Sequence, residues 1–279
     1  MTDAALALTG ELRDELAAND RAPIDPASVP CRYSSLKQIE RSPLHYWYAA
    51  QNQYEETLSM RLGSGTHAIL FGTPFVVWTG KTRNGKAWDA FELEHAGQTI
   101  LSQSELRKAQ AMADAIRASK VATAVLFCEG TVHEKRIDWT WQGRSFRSTP
   151  DAASRRHLAD LKCLRSADPA EVMWQSRKMH YHSQAALYRR ALNSIGHHIA
   201  DCYLVVVENK APHPVTVLRF TPNALDAGDR ITSGWLEQVI ACEASGNYPG
   251  YVQHVVDLDL PVTESDLVFG DDDDSNEED

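Results

Sequence analysis

The residues able to do chemistry lie between Pro150 and Tyr188. Pro150-Asp151 is followed, eight residues on, by Asp160-Leu161-Lys162, and then by a helical stretch carrying Gln184 and Tyr188. Two acids and a lysine at this spacing can build a metal-dependent site that cleaves phosphodiesters. Carboxylates forced onto one surface repel one another, and a cation relieves that cost. Hard oxygen ligands suit Mg²⁺, with Mn²⁺ as a substitute. A metal there would polarise a phosphate and lower the pKa of a bound water. Lys162 beside it would orient that water and offset charge in the transition state.

The elements around these residues must bring them together. Val132 to Trp141 reads as a strand, and Gln142-Gly143 as a two-residue hairpin turn. That turn pairs Trp141 with Arg144, Trp139 with Phe146 and Glu134 with Asp151. A second turn over Ser154 to His157 pairs Ala153 with Leu158 and Asp151 with Asp160. Directly opposed residues share a sheet face, so Glu134, Asp151 and Asp160 line up, with Lys162 two residues further along. Trp139, Phe146 and Leu161 are expected together on the opposite, core side. A slip of one residue in either turn would scatter the set. Glu208-Asn209-Lys210 has the same local pattern, but it lacks an opposed acid and a following helix.

Elsewhere, a helix is expected from Ser34 or Ser35 to Arg41, stopped by Pro43. Another covers 44–56 with Tyr46, Trp47, Tyr48 and Tyr54. In the stretch Met60 to Phe71, Gly63 and Gly65 allow close packing around His67. Ser102 or Ser104 caps a helix to Ala118. A long helix from Ser166 or Asp168 to Ser194 carries Tyr181, Ala185, Tyr188 and Leu192 as its apolar stripe. Two strands, Asp201 to Glu208 and Val215 to Phe220, precede a last helix opened by Thr221-Pro222. Residues 78–98 read as polar with a turn at Asn84-Gly85. His180 with His182 suits surface or phosphate contact better than a metal site.

The 279 residues are 43% hydrophobic and 24% charged, as expected of a soluble α/β protein. No secretory signal or membrane span is apparent, so a cytoplasmic location is expected. The five cysteines show no Cys-x2-Cys spacing, which argues against disulfides and an iron–sulfur cluster. The net charge is −10, but seven acids lie in Asp271 to Asp279; without those seven it is −3. Three parts are expected: an arm or linker at 1–30, one domain at 31–262 and a disordered acidic tail at 263–279.

Pro150-Asp151…Asp160-Leu161-Lys162 resembles the motif of the PD-(D/E)xK nucleases. Gln184-Ala-Ala-Leu-Tyr188 resembles the Gln-xxx-Tyr element of their RecB-type branch, and Gly65-Thr66-His67 its upstream metal-binding histidine. Tyr33-Ser34-Ser35-Leu36…Ser42-Pro43, Trp88…Phe91 and Tyr248-Pro249-Gly250-Tyr251 are similar to the exonuclease VIII (RecE)-like enzymes of phages and prophages. The resemblance spans about residues 31–260 and implies a restriction-endonuclease-like α/β core, a mixed central sheet flanked by helices. It implies Mg²⁺-dependent 5′ to 3′ resection of double-stranded DNA ends, leaving 3′ single strands for recombination. The implied partners are copies of the chain in a trimeric or tetrameric ring and a single-strand annealing protein. Metal ligands would be His67, Asp151, Asp160 and the Leu161 carbonyl; Lys162 would be catalytic, with Glu134 a further candidate from the register. Gln184 would touch DNA, supported by Tyr188, with Arg177, Arg41 and Ser35 as further DNA-contact candidates. Thr149 departs from the Arg or Gly that relatives often carry there, and the cysteine quartet of related iron–sulfur nucleases is absent. The alternatives are a RecB-like endonuclease or structure-specific nuclease, and a DNA-binding module without catalysis.

Overall fold

A computed structural model describes residues 23–51, 57–252 and 254–259. Most of the expected arm (1–30), Tyr54, and the acidic tail at 263–279 lie outside the described residues. Among the described residues no helix is long and apolar enough to cross a membrane.

The centre is a five-stranded mixed sheet. Its strands, in spatial order, are β3 (Val132–His133), β6 (Ala152–Ala153), β7 (His157–Leu164), β8 (Asp201–Glu208) and β9 (Val215–Arg219). β7 and β8 run parallel and the other pairs antiparallel. The parallel pair needs a crossover, supplied by α7 (Pro169–Met179) and α8 (Tyr181–Ser194). Two smaller pairs stand apart: parallel β1 (Phe75–Trp78) with β2 (Thr99–Ser102), and the hairpin of β4 (Ile137–Trp141) with β5 (Arg144–Ser148).

Both faces of the central strands are covered, and the alternation of side chains shows how. Ala159 and Leu161 of β7, with Val205 and Val207 of β8, join one apolar cluster. That cluster includes Leu62 and Leu70 of α3 (Leu58–Phe71), Met112 and Ile116 of α5 (Gln103–Ala118), and Leu126 of α6 (Lys120–Leu126). Leu158 and Leu164 point the other way, toward α7, α8 and α9 (Pro222–Ser245). Asp160 and Lys162 share that second face by the two-residue period of a strand.

Helix ends follow local chemistry. Ser102 and Glu105 form a reciprocal capping box at α5, Asp168 caps α7, and Thr221 caps α9 with Pro222 in its first turn. Gly65 lets α3 settle against Leu101, whose methyl groups would lie 2.8 and 2.9 Å from an added Cβ. Gly63 faces open space, so close packing beside His67 rests on Gly65 alone. Gly228 lets α9 cross the first turn of α8 at backbone contact, where a Cβ would sit 2.6 Å from the His182 carbonyl. That crossing fixes the helix bearing Gln184.

Four expectations need correction. The stretch Val132 to Trp141 is two strands, because Glu134 takes φ +47 and the chain leaves the central sheet. Trp139 and Phe146 therefore pack on the Leu158 side, whereas Leu161 packs on the opposite side with α3 and α5. The long helix to Ser194 breaks at His180, which adopts φ +57. Its carbonyl accepts from Tyr33 Oη at 2.6 Å and its Nε2 lies 2.7 Å from Glu40, so this histidine is a packed joint rather than a surface group. Residues 78–98, read as polar with a turn at Asn84-Gly85, also contain the end of β1 and α4 (Lys86–Glu94).

Candidate active site

The two turns deliver the expected register. Trp141 pairs with Arg144 and Trp139 with Phe146, while Ala153 pairs with Leu158 and His133 with Ala152. Extending these ladders by one residue sets Glu134 opposite Asp151 and Asp151 opposite Asp160. The Glu134 amide donates to the Asp151 carbonyl at 3.1 Å, so the first pairing is retained although the strand ends there. Asp151 follows Pro150 at a bend, and its Oδ2 accepts from the Leu161 amide at 2.6 Å.

His67 comes from α3 and enters this group. Its Nδ1 is 3.4 Å from Glu134 Oε1 and 3.7 Å from Asp151 Oδ1, and its Nε2 is 3.2 Å from the Leu161 carbonyl. With an acceptor at each nitrogen, the ring is suited to carry both protons. Burial opposes that charge, but Asp151, Glu134 and Asp160 outweigh it and raise the His67 pKa. Glu134 is lowered, chiefly by its hydrogen bond to His67. Asp151 moves the opposite way, up to about 6, because burial and the nearby Asp160 charge outweigh His67 and Lys162.

Asp160 is 4% exposed. Its Oδ2 lies 2.6 Å from Lys162 Nζ, and its Oδ1 is buried without a hydrogen-bond partner. Burial disfavours the Lys162 ammonium, yet Asp160 and Asp151 hold its pKa above the usual lysine value. Lys162 therefore stays charged at neutral pH. Tyr181 lies beside it, with Nζ 5.6 Å from the ring centroid. Tyr188 is pushed up to about 12 by burial and by the Asp160 carboxylate, and its hydroxyl accepts from Gln184 Nε2 at 3.3 Å.

Three carboxylates, one imidazole and one ammonium are thus gathered around the backbone of Leu161. Among the described residues no three His, Cys, Asp or Glu side chains stand as a ready metal cage. The carboxylates are turned toward His67, Lys162 and the Leu161 amide. The donor chemistry nevertheless suits a divalent cation: oxygen ligands on adjacent strands, one histidine nitrogen, and a buried carboxylate oxygen with no other partner.

The remaining candidates divide. Ser35 is a correction: it is buried, and its hydroxyl both accepts from the Arg32 amide and donates to the Arg32 carbonyl. It caps the short helix α1 (Tyr33–Leu36) from inside and is not free for phosphate. Arg41 and Arg177 are exposed, Arg177 on α7, and neither joins the hydrogen-bonded group around Leu161. The similar pattern at Glu208 is a loop clasp, since Oε2 accepts from the Ala167 amide at 3.2 Å.

Sequence reading missed Tyr33 and Lys37 as neighbours of the site. Burial raises Tyr33, with Tyr188 and Asp160 adding to it, and burial lowers Lys37, whose Nζ donates to the Met179 carbonyl. Their proximity arises from contacts across more than a hundred residues, which no local spacing encodes. Tyr181 was visible only as one member of an apolar stripe.

Comparison with known proteins bears on the fold. A family model described as a PDDEXK-like domain of unknown function (DUF3799) matches residues 32–257. No curated protein matches the sequence. A proposed exonuclease from Eubacterium rectale superposes with a TM-score of 0.62 over 86% of this chain and 93% of its own, at 13% identity. A phage-related exonuclease from Haemophilus somnus gives a TM-score of 0.34 at 13% identity, over 76% of this chain and 96% of its own. An alkaline exonuclease from Laribacter hongkongensis gives 0.30 at 14% identity, over 67% and 93%.

Proposed function

This chain belongs to the PDDEXK-like family, and from that premise we propose that it is a Mg²⁺-dependent exodeoxyribonuclease that resects duplex DNA ends 5′ to 3′ for recombination. The observation that carries the reading is the buried Asp160 carboxylate, with one oxygen on Lys162 and the other unpartnered, beside two further carboxylates. A cluster of this kind is costly as structure alone. It is intelligible as a place where a cation and a phosphate are received.

In this reading Asp151, Asp160, the Leu161 carbonyl and His67 would hold the metal, with Glu134 at the edge of the set. The chemistry a divalent cation supplies when bound is polarisation of the phosphate and a lower pKa for a coordinated water. Lys162 keeps its proton and places positive charge at the reacting phosphate. Gln184 orients a neighbouring phosphate, and the Tyr188 hydroxyl fixes the Gln184 amide. Asp160 and Lys162 share one face of β7, and Asp151 stands at the bend just before β6 with its carboxylate fixed by the Leu161 amide, so the sheet and this one hydrogen bond position all three. The catalytic unit is placed at 31–262, acting as a ring of copies with a single-strand annealing protein receiving the product.

The test uses end-labelled linear duplex and covalently closed circular duplex, each with Mg²⁺ or with chelator. Loss of label only from the linear form, only with Mg²⁺ and from the 5′ end is expected. Cleavage of the closed circle would convert the reading to an endonuclease of the same fold.

A further inference from the structure

The helix α7 carries a surface that the cluster around Leu161 does not use. Its inner side is anchored by Val172, fully buried among Leu164, Leu204 and Val206. On its outer side Trp174 is 66% exposed and Met173 59% exposed. A tryptophan buries more apolar area than most side chains, so leaving one this open is costly unless something covers it. Lys178, one turn on, holds its ammonium 5.1 Å from the Trp174 ring centroid. Arg177 lies beside it, exposed. Among the described residues no ion pair engages Arg177 or Lys178. Positions 174, 177 and 178 fall on one helix face, so an exposed indole, with the Lys178 ammonium over one side of its ring, and the exposed Arg177 form one patch. Glu171 and Asp168 mark where that basic patch ends toward the start of the helix.

The helix that carries the patch borders the candidate active site. Gln175 Nε2 donates to Tyr181 Oη at 3.4 Å, and the Tyr181 ring lies against Lys162 Nζ. The last turn of the helix receives Lys37 Nζ on the Met179 carbonyl. A strand held at Lys162 thus has α7 as its immediate neighbour.

We propose that Trp174, Arg177 and Lys178 form a docking platform for single-stranded DNA, with one base stacked on the indole and the flanking phosphates on the two cations; this rests on the nuclease reading above. The complementarity is specific to a polyanion that also presents flat rings. Aromatic surface takes any base, and cations beside it follow the backbone. A protein partner, or a second copy of this chain, would cover the indole but would leave two cations to be matched by its own acids.

The experiment measures binding of a fluorescently labelled single-stranded oligonucleotide in chelator, where no hydrolysis occurs. Trp174→Ala should weaken binding by about tenfold and Trp174→Phe should restore most of it. The double variant Arg177→Gln, Lys178→Gln should lower the slope of log affinity against log salt by about 1.4, given a contribution of about 0.7 per phosphate. Wild-type affinity in Trp174→Ala would overturn the platform. So would a loss that Phe does not restore, accompanied by a change of mass in light scattering, which would assign the face to a contact between copies. The same proteins are assayed on linear duplex with Mg²⁺. A wild type that binds single strand through Trp174 but digests nothing would overturn the nuclease reading and leave the platform standing. A wild type that digests, with a Trp174→Ala variant that binds normally, would overturn the platform alone.

Discussion

Two buried ion pairs in this molecule have opposite characters. Arg144 and Glu243 are each 8% exposed at the side chain, and they are fully matched. Arg144 Nε lies 3.1 and 2.9 Å from the two Glu243 oxygens, its Nη1 donates to the Ser145 carbonyl and its Nη2 to the Pro26 carbonyl. Tyr46 Oη donates to Glu243 at 2.6 Å. Asp160 is likewise buried, and its partner Lys162 half-buried, yet Asp160 keeps an unpartnered oxygen and lies beside Asp151, Glu134 and His67. Burial of charge therefore does not distinguish the two. What differs is balance: the first pair joins the start of the described chain, the β4–β5 hairpin and α9 with every guanidinium nitrogen engaged, while the second holds surplus acid.

The largest expected effect comes from removing that surplus. Asp160→Asn should lower metal-dependent digestion of linear duplex by about a thousandfold or more, the scale of losing a group that acts on the reacting phosphate. Its melting temperature in chelator should be equal to or above that of the wild type, since an unmatched buried carboxylate is removed. A large fall in melting temperature would mean that Asp160 is a structural partner like Glu243. Glu243→Ala is the converse. It leaves Arg144 buried without its carboxylate and should cost about 3–5 kcal/mol in urea unfolding, with activity per folded molecule retained. Loss of activity without loss of stability would make the two pairs alike.

This contrast was only half legible in the sequence. The acids of the site are close along the chain, and two tight turns, Gln142-Gly143 and Ser154 to His157, fix which residues face each other. Short runs of apolar and β-branched residues made β8 and β9 readable, and Thr221-Pro222 marked the start of α9. The other pair joins residues 99 apart, so nothing local announces it. The break at His180 was hidden because helix-forming residues continue on both sides and no glycine marks the positive φ. What stabilises that joint is tertiary: the Tyr33 hydroxyl, Glu40 and the edge of Trp235. The strands β1 and β2 were missed because each has only four residues, too few for a strand pattern to stand out. Ser35 serves its own helix: its hydroxyl caps backward, onto Arg32.

Acid titration extends the comparison to a third buried carboxylate. Glu105 accepts from the Ser102 amide and is paired with Arg61 and Arg83. Burial raises its pKa, but the Ser102 amide and the two arginines outweigh burial and lower it below 4.5. A carboxyl lowered in the folded state binds fewer protons there than when unfolded. Its stabilisation is therefore complete above the unfolded value and is lost as the pH falls through the lowered one. Melting temperatures taken from pH 7 down to pH 3 should show Glu105→Gln less stable at neutral pH and less sensitive to acid than the wild type. An equally steep acid slope in the variant would show that Glu105 is not among the groups that drive acid unfolding.

The smallest effects come from one hydroxyl in each cluster, and they test the contrast most closely because a single oxygen is removed. The Tyr46 hydroxyl donates to a buried carboxylate, a bond of the charged kind, so Tyr46→Phe should cost about 1.5–3 kcal/mol of stability. Its hydroxyl acts on Glu243, which is not among the site residues, and its digestion rate should be unchanged. The Tyr188 hydroxyl accepts from the neutral Gln184 amide at 3.3 Å, a longer bond. Tyr188→Phe should cost no more than about 1 kcal/mol. It releases the Gln184 amide, however, and digestion should slow several-fold, with Gln184→Ala adding little to the double variant because the two act as a unit. If instead the two losses multiply, Tyr188 acts on the substrate directly and not through Gln184. If both phenylalanine variants lose only stability, the hydroxyl at 188 belongs with the matched cluster, and the boundary of the active site falls short of α8.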